Sequence, residues 1–164
     1  METKYKFMRD DYIWRLEFAD GSGPYQGERN VAKWVRELEL NKGDLTGSIS
    51  NRAGAKGDRI LLKLLREYED LSDYHYGFSD IHQYRRWFEL PEVREMLEEK
   101  QLLLVRYDGP ESTIVHGDTQ SIFIRNQTEI TAVCSPTKDP KAEITADERA
   151  RAKDLKVQRR SNSL

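Results

Sequence analysis

The sequence predicts an α+β fold: a largely antiparallel sheet packed with three to four helices, forming a single domain that a flexible C-terminal tail follows. Three observations favour this fold. Apolar and polar side chains alternate from Tyr12 to Phe18, which is typical of a half-buried strand. Apolar residues recur at helical spacing between Ile60 and Tyr68. Short turns rather than crossover helices separate the strand-like segments between Gln101 and Arg125, which favours antiparallel pairing.

Length and composition bound the architecture. The chain has 164 residues, which suits a single domain, and it is 37% apolar and 34% charged. We expect a globular domain over residues 1–135 and a charged, mobile or partly helical tail over residues 136–164. Lys138 to Leu164 contains eight Lys or Arg and five Asp or Glu, a net charge of +3. The tail can contact an acidic surface, but this excess is too small to predict one.

The cellular setting follows from cysteine content and hydropathy. Cys134 is the sole cysteine, which suits a reducing cytosol and an inert thiol. The N-terminal residues lack the apolar core of a secretory signal, and no stretch approaches the ~18 apolar residues of a membrane span. These features predict a cytoplasmic protein without membrane contact. The net charge of −2 makes nucleic acid an unlikely partner, because such binders are usually strongly basic.

The first half of the chain contains one strand and two helices. After the strand over Tyr12–Phe18, Asn30 is a suitable cap for a helix that ends near Leu40. Residues 41–57 are rich in Gly, Ser and Asn, and a loop of that length is typically functional or mobile. Asp58 can cap the next helix, which extends to about Asp70 and turns Ile60 and its apolar neighbours inward.

The second half alternates short elements. A short strand is predicted over Tyr74–Phe78. Ser79 or Asp80 can cap the helix that follows, and Pro91 is suited to the first position of a further short helix. A nearly continuous apolar run predicts a central strand over Gln101–Tyr107. Two further strands are predicted over Thr113–His116 and Gln120–Arg125, joined by a turn at Gly117 and Asp118.

A final helix is predicted in the tail over Thr145–Val157. Thr145 and Glu148 have the spacing of a capping box. The apolar positions of this helix are mostly Ala, which predicts that it does not pack on the domain.

No motif fixes a reaction. His75, His82 and His116 lack metal-ligand spacing, and the glycines around Lys56 do not complete a phosphate-binding loop. No GxSxG sequence is present, and the paired carboxylates lie on predicted helix surfaces. The polar side of the first strand is more informative, because Arg15 and Glu17 project to one face. Either this face meets water, or it lines a cleft in which Arg15 binds a phosphate.

Short, scattered matches over residues 12–124 resemble a known family. They comprise Gly23-Pro24-Tyr25 after an Arg-bearing strand, Gly77-Phe78-Ser79 with Gln83 and Trp87-Phe88, the strand Leu102–Tyr107, and Gly117–Phe123. Together they are similar to small, uncharacterised proteins of tailed phages and prophages. The resemblance implies a phage origin and a bacterial host cytoplasm more than any activity.

The order of elements also resembles the ADP-ribosyltransferase fold. That resemblance implies an NAD pocket in which Arg15 binds the dinucleotide phosphates and Tyr76, Phe78 and Ser79 line the nicotinamide site. The polar segment from Gly21 to Tyr25, just beyond the first strand, is the expected rim of the cleft. Gln120 stands where the family's catalytic Glu is expected. A neutral amide cannot stabilise a cationic transition state by charge, so either Glu17 or Glu129 supplies the carboxylate or the site binds without reacting.

Two functions therefore remain open. The first is an accessory protein that binds a host or phage protein and inhibits or recruits it without catalysis. The second is an NAD-dependent ADP-ribosyltransferase-like enzyme that modifies a host target. The sequence favours the first narrowly, implies no cofactor firmly outside the second, and does not determine the oligomeric state.

Overall fold

A computed structural model describes residues 9–24, 31, 33, 34, 37, 59–67 and 73–162. Its strands are β1 (Asp10–Glu17), β2 (Tyr74–Gly77), β3 (Leu103–Pro110), β4 (Ile114–Val115), β5 (Ser121–Ile124) and β6 (Glu129–Cys134). Its helices are α1 (Arg59–Glu67), α2 (Ile81–Trp87), α3 (Pro91–Glu99) and α4 (Ala146–Asn162). Short 3-10 turns span Glu111–Thr113 and Arg125–Gln127.

Two antiparallel three-stranded sheets form the domain, which confirms the predicted α+β class. The first sheet has the order β1-β3-β6, and the second has the order β2-β5-β4. The apolar run in β3 is central in the first sheet, as predicted. The turn at Gly117 and Asp118 separates β4 from β5, which confirms the predicted hairpin.

The two sheets meet where β2 crosses β1. Trp14 and Phe78 exchange backbone hydrogen bonds of 2.9 and 2.6 Å. Gly77 allows this approach, because a Cβ at that position would lie 2.7 Å from the Trp14 carbonyl oxygen and 2.8 Å from the Ile13 side chain. The crossing brings the segment that follows β2 next to the first sheet.

One face of the first sheet is covered by α2 and α3. Trp14, Leu16 and Leu104 pack there against Tyr84 and Phe88 within one apolar cluster. The Asp80 side chain accepts a hydrogen bond from the Gln83 N–H at the start of α2, and Pro91 stands at the start of α3. Both helix starts agree with the sequence predictions.

The opposite face is covered by the second sheet and by α4. Ile13, Val105 and Phe123 form its apolar cluster, to which α4 adds Ala152 and Leu155. The predicted capping box is present, because Thr145 and Glu148 each donate a backbone N–H to the other's side chain. The prediction that this helix does not pack on the domain was wrong, because Ala152 and Leu155 are buried against the sheet.

The predictions for the first two helices and the loop between them are confirmed only in part. Val31, Lys33, Trp34 and Glu37 are helical, in agreement with the first predicted helix. Leu61 is buried, but Ile60 is exposed and not inward as predicted. The 41–57 loop, Tyr25 and Tyr68 lie outside the described residues. Within the part of the chain that the structure describes, no helix is both long and apolar enough to cross a bilayer.

Candidate functional site

The polar face of β1 is buried. Arg15 is 6% exposed and Glu17 is 0% exposed. The sequence left two possibilities for this face, contact with water or a phosphate cleft. In the structure, Tyr76 of the second sheet and Arg159 of α4 contact its charged residues. Arg15 Nε donates to Glu17 Oε2 at 3.0 Å, and Arg15 Nη1 donates to the Tyr76 carbonyl oxygen at 2.8 Å.

Further donors surround the same carboxylate. Arg125 Nη1 lies 3.3 Å from Glu17 Oε2, and Arg159 Nη2 lies 2.7 Å from Glu17 Oε1. The Tyr107 hydroxyl also donates to Glu17 Oε1. We call these five residues the Glu17 cluster: Arg15, Glu17, Tyr107, Arg125 and Arg159. A buried carboxylate of this kind is tolerated because its lone pairs are satisfied by charged donors.

The cluster shifts the protonation of its neighbours. Burial lowers the pKa of Arg15, although the Glu17 charge opposes the shift. Burial and then the Glu17 charge raise the pKa of Tyr107 to about 12. Burial acts to lower the pKa of Arg159, but Glu17 outweighs it and the net shift is upward. His75 nearby has a pKa lowered to about 4 by burial and then by the positive charges of Arg125 and Arg15.

Phe78 and Arg15, both predicted for an NAD pocket, lie on opposite faces of β1. Phe78 packs in the apolar cluster with Trp14, whereas Arg15 projects from the other face of β1. The Tyr76 side chain is 46% exposed, and only its backbone carbonyl contacts Arg15. Since Glu17 and the Tyr76 carbonyl already engage the guanidinium, the described contacts do not favour a phosphate site there.

The remaining predicted residues are dispersed. Gln120 is buried, Glu129 is exposed, and Tyr25 lies outside the described residues. The catalytic roles of Gln120 and Glu17, and NAD as the cofactor, remain predictions. No group of three or more His, Cys, Asp or Glu that could hold a metal ion is found among the described residues.

Ser79 does join a polar cluster, with partners that sequence reasoning did not select. Its hydroxyl shares a short hydrogen bond with His116 Nδ1, and His116 Nε2 lies 2.5 Å from Asp11 Oδ2. We call these three residues the serine cluster. They are distant in sequence and match no motif, so only the three-dimensional arrangement shows that they meet.

The exposed side of α4 forms a second feature. Arg149, Lys153, Lys156 and Arg160 follow one another at intervals of four, three and four residues, which places them along one side of the helix. We call these four residues the basic stripe. Lys156 is close to Glu129 of β6, with a 2.7 Å ion pair. The sequence showed these charges but not the surface that they border.

Residues of the basic stripe line two grooves. The first has a volume of about 440 Å³, and basic-stripe residues Arg149, Lys153 and Lys156 line it opposite Thr131 and Ile144. The second, also of about 440 Å³, is lined by Lys156, Arg159 and Arg160 together with Arg125. Acidic residues of the grooves are Asp20, Asp108 and Glu129. The grooves therefore offer several cations, interspersed with a few carboxylates and with apolar surface at Ile130.

Fold and sites together define a small α+β protein with a buried arginine–glutamate cluster and a basic helix at one edge. The chain belongs to the family described as bacteriophage T4 Y00F protein, whose model matches residues 4–137. No curated protein and no solved structure matches the chain significantly. The family confirms the predicted phage resemblance and supports a phage accessory protein, whereas the comparisons lend no support to the ADP-ribosyltransferase resemblance. The matched residues include the serine cluster and end before α4.

Proposed function

We propose that this phage accessory protein binds an acidic segment of a host or phage protein along the basic stripe of α4. One observation underlies the proposal: residues of the basic stripe line two grooves, each large enough to receive side chains of a partner. Binding of this kind alters the partner by occupying its surface and needs no chemical step.

The placement of the cations on α4, more than their net charge, supports an acidic partner, because four of them lie along one side of the helix. The helix contains six Lys or Arg and three Asp or Glu, a net charge of +3, within a chain whose net charge is −2. Complementary charge increases the rate of association and fixes the orientation of docking. An extended acidic segment can place carboxylates against the basic stripe while its other side chains enter the grooves.

The grooves favour a protein over a nucleic acid. Asp108 and Glu129 stand among the cations, so a continuous phosphate backbone would meet like charge. A protein segment can instead donate hydrogen bonds to these carboxylates and place an apolar side chain near Ile130. Nucleic-acid binders are also usually strongly basic over a whole domain, unlike this chain.

The first experiment measures binding of a fluorescent poly-glutamate peptide, with single-stranded DNA as the parallel probe. We expect saturable peptide binding that weakens as salt is added, because exposed charges are screened. The double variant Arg149→Glu/Lys153→Glu should reduce peptide affinity at least about tenfold. The matched control is Lys63→Glu/Arg86→Glu, which makes the same charge change at exposed residues of α1 and α2 and should bind like the unaltered protein.

The natural partner is then identified by cross-linking in lysate from infected cells. A protein partner should cross-link to the unaltered chain and to the control variant, but not to the basic-stripe variant. Equal capture by both variants would place the partner elsewhere and overturn the proposal. Tenfold tighter binding of DNA than of poly-glutamate would replace the protein partner with a nucleic acid.

A further inference from the structure

The serine cluster has the order of groups used in nucleophilic catalysis. Ser79 follows β2, His116 follows β4, and Asp11 belongs to β1. The His116 ring lies between the Ser79 hydroxyl and the Asp11 carboxylate and contacts one with each nitrogen. In such an arrangement the imidazole takes the proton of the hydroxyl, and the carboxylate orients the ring and stabilises the imidazolium that forms.

The ring is reversed relative to the familiar serine hydrolase template. Here Nδ1 contacts the serine and Nε2 contacts the carboxylate. Either imidazole nitrogen can accept a proton when the other donates to a carboxylate, so the reversal preserves the chemistry. The geometry required of the nucleophile and its base is therefore met.

A buried polar layer holds the serine cluster in place. Gln83 Oε1 accepts hydrogen bonds from the Ser79 backbone N–H at 2.9 Å and from the Ser121 hydroxyl at 3.0 Å. Gln83 Nε2 donates to the Gly117 carbonyl oxygen at 2.7 Å, next to His116. The Ser121 hydroxyl also lies 2.5 Å from Ser79 Oγ. One amide thus fixes the backbone on both sides of the serine–histidine contact, which is the support that a reactive site requires.

The serine cluster is partly open to solvent, and Ser79 itself is half-buried. The His116 side chain is 44% exposed, and the Asp11 side chain is 29% exposed. By contrast, Arg15 and Glu17 at the centre of the Glu17 cluster are buried. We propose that Ser79 is a nucleophile that accepts an acyl group from an ester, with His116 as the general base and Asp11 as a positioning residue.

The reaction consumes only the ester and water. Ser79 Oγ forms a bond to the ester carbonyl carbon while its proton moves to His116 Nδ1. The carbon–oxygen bond to the leaving alcohol then breaks, and the alcohol takes the proton from His116. Water repeats the sequence on the acylated serine, which releases a carboxylic acid and restores the Ser79 hydroxyl. The proposal rests on residues separate from the basic stripe and is independent of the binding function.

The test uses the full chain with p-nitrophenyl acetate and, separately, with a fluorophosphonate, and maps the modified residue by mass spectrometry. We expect label at Ser79 of the folded protein and none there after unfolding in denaturant. The control Ser161→Ala removes an exposed serine of α4 and should leave Ser79 labelling unchanged. Absence of label at Ser79 in the folded, unaltered chain would overturn the proposal without recourse to a variant.

Two substitutions of His116 test its role as the general base. His116→Gln should slow Ser79 labelling at least about a hundredfold, which is typical of the loss of a general base. Added imidazole should restore part of the rate in His116→Ala, because it can take the position of the missing ring. Labelling at an undiminished rate in both variants would contradict the assignment of His116.

Discussion

On one face of β1, Trp14 and Leu16 pack into an apolar cluster with α2 and α3, while on the other face Arg15 and Glu17 lie in a buried charge cluster beneath α4. Both faces exclude water, but they do so by different interactions. The apolar face tolerates any well-packed hydrophobic contact, whereas the charged face requires specific partners for every lone pair and proton. This difference predicts that the two faces respond differently to substitution.

Loss of the buried carboxylate should have the largest effect. Glu17→Gln leaves three guanidinium groups around a neutral side chain, and breaking a buried pair in this way should cost about 3–5 kcal/mol of unfolding free energy. Urea unfolding gives the value. The control is Asp147→Asn, which alters an exposed ion pair with Arg151 and should change stability by less than about 0.5 kcal/mol. Equal effects of the two substitutions would show that the Glu17 cluster does not stabilise the fold.

Truncation on the apolar face should have the next largest effect. Leu104 is 0% exposed within the first cluster, so Leu104→Ala should lower the unfolding free energy by about 3 kcal/mol through lost burial and a cavity. The exposed Val157 provides the matched control, since Val157→Ala should cost less than about 0.5 kcal/mol. The Leu104 effect should be independent of salt and pH, unlike that of Glu17. A strong salt dependence of the Leu104→Ala effect would show that the two faces are not stabilised by different interactions.

The same comparison explains what the sequence could and could not predict. Alternation along β1 and the helical spacing after Asp80 identified the apolar face, because burial of apolar side chains leaves a periodic signal. Arg159 and Arg125 carry no such signal, since a charged residue that pairs with a distant carboxylate looks like any surface charge. One clue was present: Arg159 follows the buried Ala152 and Leu155 at helical spacing and so lies on the packed side of α4.

The candidate sites were harder to predict than the fold. Ser79 was selected from a resemblance, but its partners His116 and Asp11 belong to segments far away in the chain. Their meeting depends on how β4 lies relative to β1, and a single sequence does not contain that information. The basic stripe was visible as net charge, whereas the grooves beside it depend on α4 packing against β6.

A smaller effect should appear in the pH dependence of stability. The folded-state pKa of His75 is about 4, below the ordinary value of 6.5, so the unfolded chain binds more protons between these limits. Stability from this residue is therefore lost as pH falls from about 6.5 to about 4. Because the side chain is partly exposed, we expect a contribution of about 1 kcal/mol after solvent screening. Thermal unfolding of His75→Gln should be less sensitive to pH over this window, and an unchanged pH profile would refute the assignment.

The last prediction concerns the reactivity of a buried thiol rather than stability. Burial raises the pKa of the Cys134 thiol to about 12, which leaves it protonated on the apolar face. A disulfide reagent should therefore react with the native protein at least about a hundredfold more slowly than with the protein in denaturant. Absorbance of the released thiolate measures both rates. Similar rates would indicate that the apolar face is open to solvent.

The ion pair between Glu17 and Arg159 holds α4 to the sheet. A double-mutant cycle tests this coupling most directly. The unfolding free energy is measured for the unaltered protein, Glu17→Gln, Arg159→Met and the double variant. If the 2.7 Å pair acts as described, the double variant should lose about 2 kcal/mol less than the sum of the single losses. Additive losses, with a coupling below about 0.5 kcal/mol, would contradict the account.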